Sequence, residues 1–241
     1  PWFSRSLANR IWAHFMGRGL VDPVDDFRVS NPASEAALLE GLASRLVSTG
    51  YDLKQLVREV TASRAYQRST EATGANAHDE RNFTRQGVRR LRAETLLDVV
   101  CQVTDAPVKL KGLPLGARAV EIADGATTNY FLTTFGRAPR ESVCACEVSF
   151  EPSLSQALHL LNGGTVSKQI ESGGLVGRWL AEGRSSGEVI SGLYLRCLGR
   201  EPTTQVLRAL EAKAAAAEEP EAALEDVFWA LLNSREFLFQ H

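Results

Sequence analysis

An all-α fold, a multi-helix globular bundle with a long irregular loop region at about 105–152, is the class this chain predicts. Apolar residues recur at three- and four-residue steps over most of its 241 positions, the period of a helix with one buried face. Segments that alternate apolar and polar side chains are too few to build a sheet. With 44% hydrophobic and 23% charged residues, the chain has enough apolar surface for a real core.

The first helix is expected from Phe3 to Phe15, where Phe3, Leu7, Ile11, Trp12 and Phe15 line one side and Gly17 and Gly19 stop it. After a Pro- and Asp-containing loop, Ser34 is placed to cap a second helix over about Glu35 to Ser48, which Thr49-Gly50 ends. Asp52 is placed to cap a third, running to about Ala65. Residues 67–87 are polar and without period, an exposed connection and the best candidate boundary. A fourth helix is expected from Ala93 to Thr104. Pro107 to Pro152 is rich in Gly, Thr and Pro, and a segment of that length in a compact domain reads as functional loops or short extended pieces. Helical rhythm returns over Leu154 to Leu161, Val166 to Ala181 with Gly173-Gly174 interrupting, Val189 to Leu198, Thr203 to Glu218 and Ala222 to Asn233, the last two separated by Pro220. The closing run Phe228-Trp229-Ala230-Leu231-Leu232-Asn233-Ser234-Arg235-Glu236-Phe237-Leu238-Phe239 carries too much apolar surface for a frayed end and must dock, with His241 behind it. The organisation is an N-terminal helical part over 1–66, a polar connection over 67–90 and a C-terminal helical part over 91–241, forming one compact unit.

The 27 basic and 29 acidic side chains leave a net charge of −2, so no global field draws the chain to nucleic acid or to an anionic membrane. The one tight basic run, Arg89, Arg90 and Arg92, reads as a solvated helix start with carboxylate partners. No apolar run is long enough to span a bilayer. The chain opens at Pro1-Trp2-Phe3 without a Met, which reads as a piece of something longer whose export signal lies elsewhere. Four cysteines are too few for a disulfide scaffold. Cys101 and Cys197 fall in apolar helical patterns and read as small buried hydrophobes.

Cys144 and Cys146 differ, standing two apart in the irregular region. With Glu147 and His159 they make a candidate metal set, and zinc is the ion such mixed sulfur, nitrogen and oxygen donors suit. Reduced thiols or disulfides are the plainer readings. His14 beside Trp12 and Phe15 reads as a packing residue, and His78 as solvated. Asp22, Asp25 and Asp26 lack the alternation of a calcium loop and read as turn carboxylates paired with Arg18 or Arg28. No nucleophile elbow, phosphate-binding loop, dinucleotide fingerprint or zinc-protease helix motif is found.

Five separated motifs appear in order: Asn9-Arg10-Ile11-Trp12-Ala13-His14-Phe15-Met16-Gly17-Arg18-Gly19-Leu20-Val21; Tyr51-Asp52-Leu53-Lys54 with Ser63-Arg64-Ala65-Tyr66-Gln67; Phe135-Gly136-Arg137-Ala138-Pro139-Arg140-Glu141; Gln156-Ala157-Leu158-His159-Leu160-Leu161-Asn162-Gly163; and the closing Trp-Ala-Leu-Leu-Asn-Ser-Arg-Glu-Phe. In these the chain resembles the domain of unknown function 1553 family, also described as a planctomycete cytochrome-associated domain. The resemblance implies the C-terminal part of a large exported protein, extracytoplasmic in the periplasm or at the cell surface, whose other domains often include a cytochrome c domain. No Cys-x-x-Cys-His is present, so this chain does not itself attach haem in that way. One branch of the family reads Cys-x-Cys-Glu-Arg where this chain has Val148 after Glu147. Aromatic and arginine residues recur within the motifs. Either they are clamps from arginine to carboxylate and backbone, or Trp12, Arg18, Arg137 and Arg140 line a groove for a glycan or another anionic ligand. The leading expectation is an interaction or ligand-binding module without catalysis. A metal-dependent or redox enzyme at Cys144 and Cys146, and a structural spacer, are the alternatives.

Overall fold

The computed structural model describes residues 2–79, 81–125, 127, 129–141, 153–162 and 164–240. Two compact units divide it, the first reaching to Arg89 and the second running Arg90–Gln240. Both are helical, as the periodicity predicts, and the described strands are the two-residue β1 (Arg89–Arg90) and β2 (Phe239–Gln240), which pair.

In the first unit, α1 (Trp2–Met16) packs on α2 (Ala36–Ser48) and α3 (Leu53–Thr61). Their core is Trp12, Met16, Leu20, Val21, Leu39, Leu46, Leu56 and Val60. The buried face of α1 is Ser4, Ala8, Asn9, Trp12 and Met16, centred one position beyond the row the sequence singles out. Phe3 is therefore 67% exposed and rests on Tyr51, ring centroids 5.5 Å apart. Small Ser4 and Ala8 let the neighbouring helix come close, which is why an apolar count alone misplaces the face. Asn9 is fully buried and satisfied. Its Nδ2 donates to the Val21 and Val24 carbonyls at 2.9 Å each, and its Oδ1 accepts from the Val21 N–H at 3.0 Å, tying the following loop to the helix.

Asp52 caps α3 as expected, accepting from the Gln55 N–H at 3.0 Å. Ser34 does not cap α2. Glu35 holds that position without a side-chain cap, the Ser34 N–H is taken by the Leu20 carbonyl at 2.7 Å, and the Ser34 hydroxyl is buried without a partner. The 67–87 stretch also corrects its reading as a plain exposed connection. Gln86 is buried and donates from Nε2 to the Ala65 and Tyr66 carbonyls at 3.2 and 3.0 Å, while Phe83 packs on Trp12 with ring centroids 5.3 Å apart.

In the second unit the core joins α4 (Ala93–Thr104), α5 (Tyr130–Thr134), α7 (Thr165–Gly173), α8 (Leu175–Ala181), α9 (Ser186–Leu198), α10 (Thr204–Ala216), α11 (Pro220–Leu232) and α12 (Arg235–Leu238), with α6 (Leu154–Asn162) beside α7. Leu96, Leu97 and Val100 of α4 share one buried core with Phe131, Leu132 and Phe135, with Val189, Ile190 and Leu193 of α9, and with Leu224, Phe228 and Leu232 of α11. The closing segment docks: Phe237 and Leu238 are buried, and the Leu91 N–H donates to the Leu238 carbonyl at 3.1 Å. His241, Pro152 and the stretch from Ser142 to Glu151 lie outside the described residues.

Pro220 does not lie between helices but starts one, at the first helical position where its missing N–H has no partner to lose. The irregular region carries more helix than expected: a 3₁₀ turn at Ala119–Glu121 and α5, with Leu110, Ala119 and Ile122 buried. Gly173 closes α7 against α4, and a Cβ there would stand 1.7 Å from the Thr104 carbonyl oxygen. Helix contact at that distance needs a residue with no side chain.

Candidate functional site

The arginines of the motifs reach carbonyls more than carboxylates. Arg137, just after α5, has a side chain only 4% exposed. Its guanidinium donates to the Thr127 carbonyl at 3.1 Å and the Asp124 carbonyl at 3.0 Å, with longer bonds to Ile122 and Gly125. Its Nε lies 3.4 Å from a Glu94 carboxylate oxygen, an ion pair without hydrogen-bond geometry. Arg140, at a φ of +59°, adds bonds to the Ile122 and Ala123 carbonyls at 3.1 and 3.0 Å. Two planar forks thus hold the 122–125 turn and Thr127 from within.

The same device recurs. Arg196 donates to the Val103 and Gln102 carbonyls at 2.7 and 2.9 Å and pairs with Asp105, whose φ of +56° ends α4. Arg178 pairs with Asp105 at 2.8 Å and with the Gly173 carbonyl. Arg89 and Arg90 correct the reading of a solvated basic run. Arg89 donates to the His14 carbonyl at 2.9 Å and to the Phe15 carbonyl, satisfying the open C-terminal end of α1. Arg90 is buried, donates to the Phe135 carbonyl at 2.9 Å and lies 5.4 Å from the Phe135 ring centroid. Burial lowers the pKa of both from the ordinary arginine value.

His159 sits on α6 among Tyr130, Phe131 and Phe135, with ring centroids 5.2, 5.5 and 5.8 Å away. Its Nε2 is 3.0 Å from the Thr165 hydroxyl, and it lines a cavity of about 490 Å³ with Ser155, Leu158 and Lys168. Cys144, Cys146 and Glu147 lie outside the described residues; among the described residues no three metal-binding side chains cluster. Burial pushes the His159 imidazolium below its ordinary pKa of 6.5. The unfolded chain therefore binds the proton more readily, so the stability this residue contributes is full above that value and falls as pH drops through and below it. Between pH 7.5 and pH 5.5, about one unit either side of the free histidine pKa, His159→Gln is expected to lose less melting temperature than the parent. Equal losses in paired thermal melts would contradict this.

Cys101 and Cys197 are free and half-buried; burial raises the first thiol and pushes the second up to about 12. Trp12 is a core residue, not a groove wall, with its indole N–H buried and unpartnered. Asp25 and Asp26 pair with Arg10 at 2.7 Å and with Arg28 at 2.6 Å. Arg18 instead lies over the Phe83 ring, 5.7 Å from its centroid, on a cavity of about 250 Å³ that also takes in Asp79, Arg85 and Arg89. Sequence reading passes over Phe83 and Arg85 because they fall in an aperiodic stretch, and takes Arg89 only as part of a solvated basic run. The available signal is arginine at 81, 85 and 89 with no carboxylate between them.

No curated protein and no solved structure matches the chain. Residues 1–214 match the family described as PSD1, protein of unknown function (DUF1553), and the chain, matched over that much of its length, belongs to this family.

Proposed function

We propose that the chain is a helical interaction module of an exported, multidomain, cytochrome-associated protein, and that it binds rather than catalyses. The bracing of residues 122–125 and Thr127 by Arg137 and Arg140 carries this reading. A guanidinium that holds several loop carbonyls is not available to polarise a substrate. What the two forks produce is a surface turn, with Ala123 and Asp124 exposed, whose conformation is set before any partner arrives. Preorganisation of this kind removes the ordering entropy that weakens loop-mediated binding. The partner that the family resemblance supports is another domain of the same polypeptide, a cytochrome c domain among them.

The test begins with the upstream reading frame, where a signal peptide and a haem-attachment motif are expected. The remainder of the polypeptide, produced separately, is then titrated with this chain in a calorimeter. A saturable complex weakened by Arg140→Ala supports the reading. Absence of complex formation, or a frame holding this domain alone, refutes it.

A further inference from the structure

Several arginines of the first unit are paired with carboxylates: Arg10 with Asp25, Arg28 with Asp26, Arg45 with Glu59. Arg18, Arg85 and Arg89 have no such partner among the described residues, and all three converge on the cavity of about 250 Å³. The Nε donors of Arg85 and Arg89 are buried without an acceptor. Buried guanidinium donors left unpaired are unfavourable unless something supplies the acceptors.

The surrounding backbone holds this arrangement open. Among the described residues Asp79 is the one carboxylate on the wall, and its oxygens are taken locally by the N–H groups of Arg81 and Asn82 at 3.0 and 2.9 Å, the Asn82 side-chain amide at 3.1 Å and the Thr84 hydroxyl. These bonds keep it ionised, well below the usual carboxylate range. They also fix a turn that sets Phe83 and Arg85 on either side of Thr84. Phe83 holds a φ of +54°, a region a bulky side chain enters only when its surroundings force it and one found disproportionately at ligand clamps. Gly17, at a φ of +82°, lies where a Cβ would stand 2.5 Å from the Arg89 side chain, so its bare backbone admits that arginine to the cavity edge. Among the described residues the charged lining side chains, three arginines and one aspartate, sum to +2.

We infer that this cavity binds an oxyanionic group, a carboxylate, sulfate or phosphate, carried on a small organic molecule whose flat face lies against Phe83. Arg89 spends both terminal nitrogens on the His14 and Phe15 carbonyls, so the forks of Arg18 and Arg85 are the ones that match the paired oxygens of such groups, with Arg89 adding charge at the edge. The volume exceeds that of a bare oxyanion, and the Phe83 ring supplies an apolar wall that an inorganic ion would leave uncovered. This site is separate from the braced loop, and the inference does not depend on the interaction reading given above.

The full chain is titrated with sodium glucuronate, sulfate and phosphate at matched ionic strength, by calorimetry and by following the arginine Nε–H resonances. Saturable glucuronate binding is expected, with the Arg85 and Arg89 Nε–H signals shifting in the unmodified protein. Arg85→Gln should weaken it about tenfold, the loss of one charge-assisted contact. Arg28→Gln, which removes an exposed ion pair of the same unit, should leave it unchanged. Among the described residues Arg85 has no hydrogen-bond partner on which folding depends, and Arg18→Gln offers a second route if that variant is unsound. Absence of saturation for all three anions overturns the inference, as does glucuronate binding indifferent to both substitutions. Sulfate or phosphate binding as tightly as glucuronate overturns the assignment of Phe83 as a wall for the carrier.

Discussion

Phe228→Ala is expected to destabilise the second unit by about 3–5 kcal/mol, a substantial part of the roughly 5–15 kcal/mol that a domain holds in reserve. Phe228 is fully buried. It comes from α11, which packs on α7, α8, α9, α10 and α12, so the hole left by its ring has walls from several helices that cannot all move in together. Chemical denaturation followed by helical circular dichroism should show a lower midpoint with the same slope. A loss under about 1 kcal/mol would mean that the helices collapse onto the cavity and that the packing is looser than the buried side chains indicate.

Arg137→Ala is the second large effect, about 3 kcal/mol or more in stability. The loss is that of a nearly enclosed charge with several hydrogen bonds, each charge-assisted bond being worth about 1.5–3 kcal/mol before the freed carbonyls regain water. Its location is the more informative part. Proteolysis and amide exchange should rise between Ile122 and Thr127 while α9 and α11 remain protected. Arg137→Lys should recover little, since a single ammonium cannot span carbonyls that a planar fork reaches together. Uniform loosening of the whole unit, or full rescue by lysine, would show that the residue acts through charge alone.

The two expectations rest on features of different legibility. Phe228 belongs to a closing run whose apolar density demands a docking place, and α4, α9 and α11 follow directly from three- and four-residue spacing. The glycine pair at 173 and 174 marks a break that the structure keeps. What the spacing could not convey are side chains whose partners are distant in the chain. Asn9 looks like one more polar residue on a helix until the loop at Val21 and Val24 folds back on it. Gln86 and Arg89 look solvated until Ala65, Tyr66 and the end of α1 are in place. The face of α1 was missed for a related reason: Ser4 and Ala8 are buried because they are small, which a count of large apolar residues does not register. The same holds for sites. Arg137 and Arg140 stand out in the sequence, but the number of carbonyls each one binds is a property of the turn before them. Arg85 stands out in neither period nor motif, and only the three-dimensional placement of Phe83 and Asp79 shows its donor without an acceptor.

The half-buried thiol of Cys197, pushed up to about 12, gives the second unit a built-in reporter. At neutral pH an alkylating reagent finds almost no thiolate there while the helices stay closed, whereas in an opened chain the same sulfur titrates near about 8.5. Its rate of modification therefore counts excursions out of the native packing. Unit breathing can be timed at this one atom, under native conditions and without denaturant.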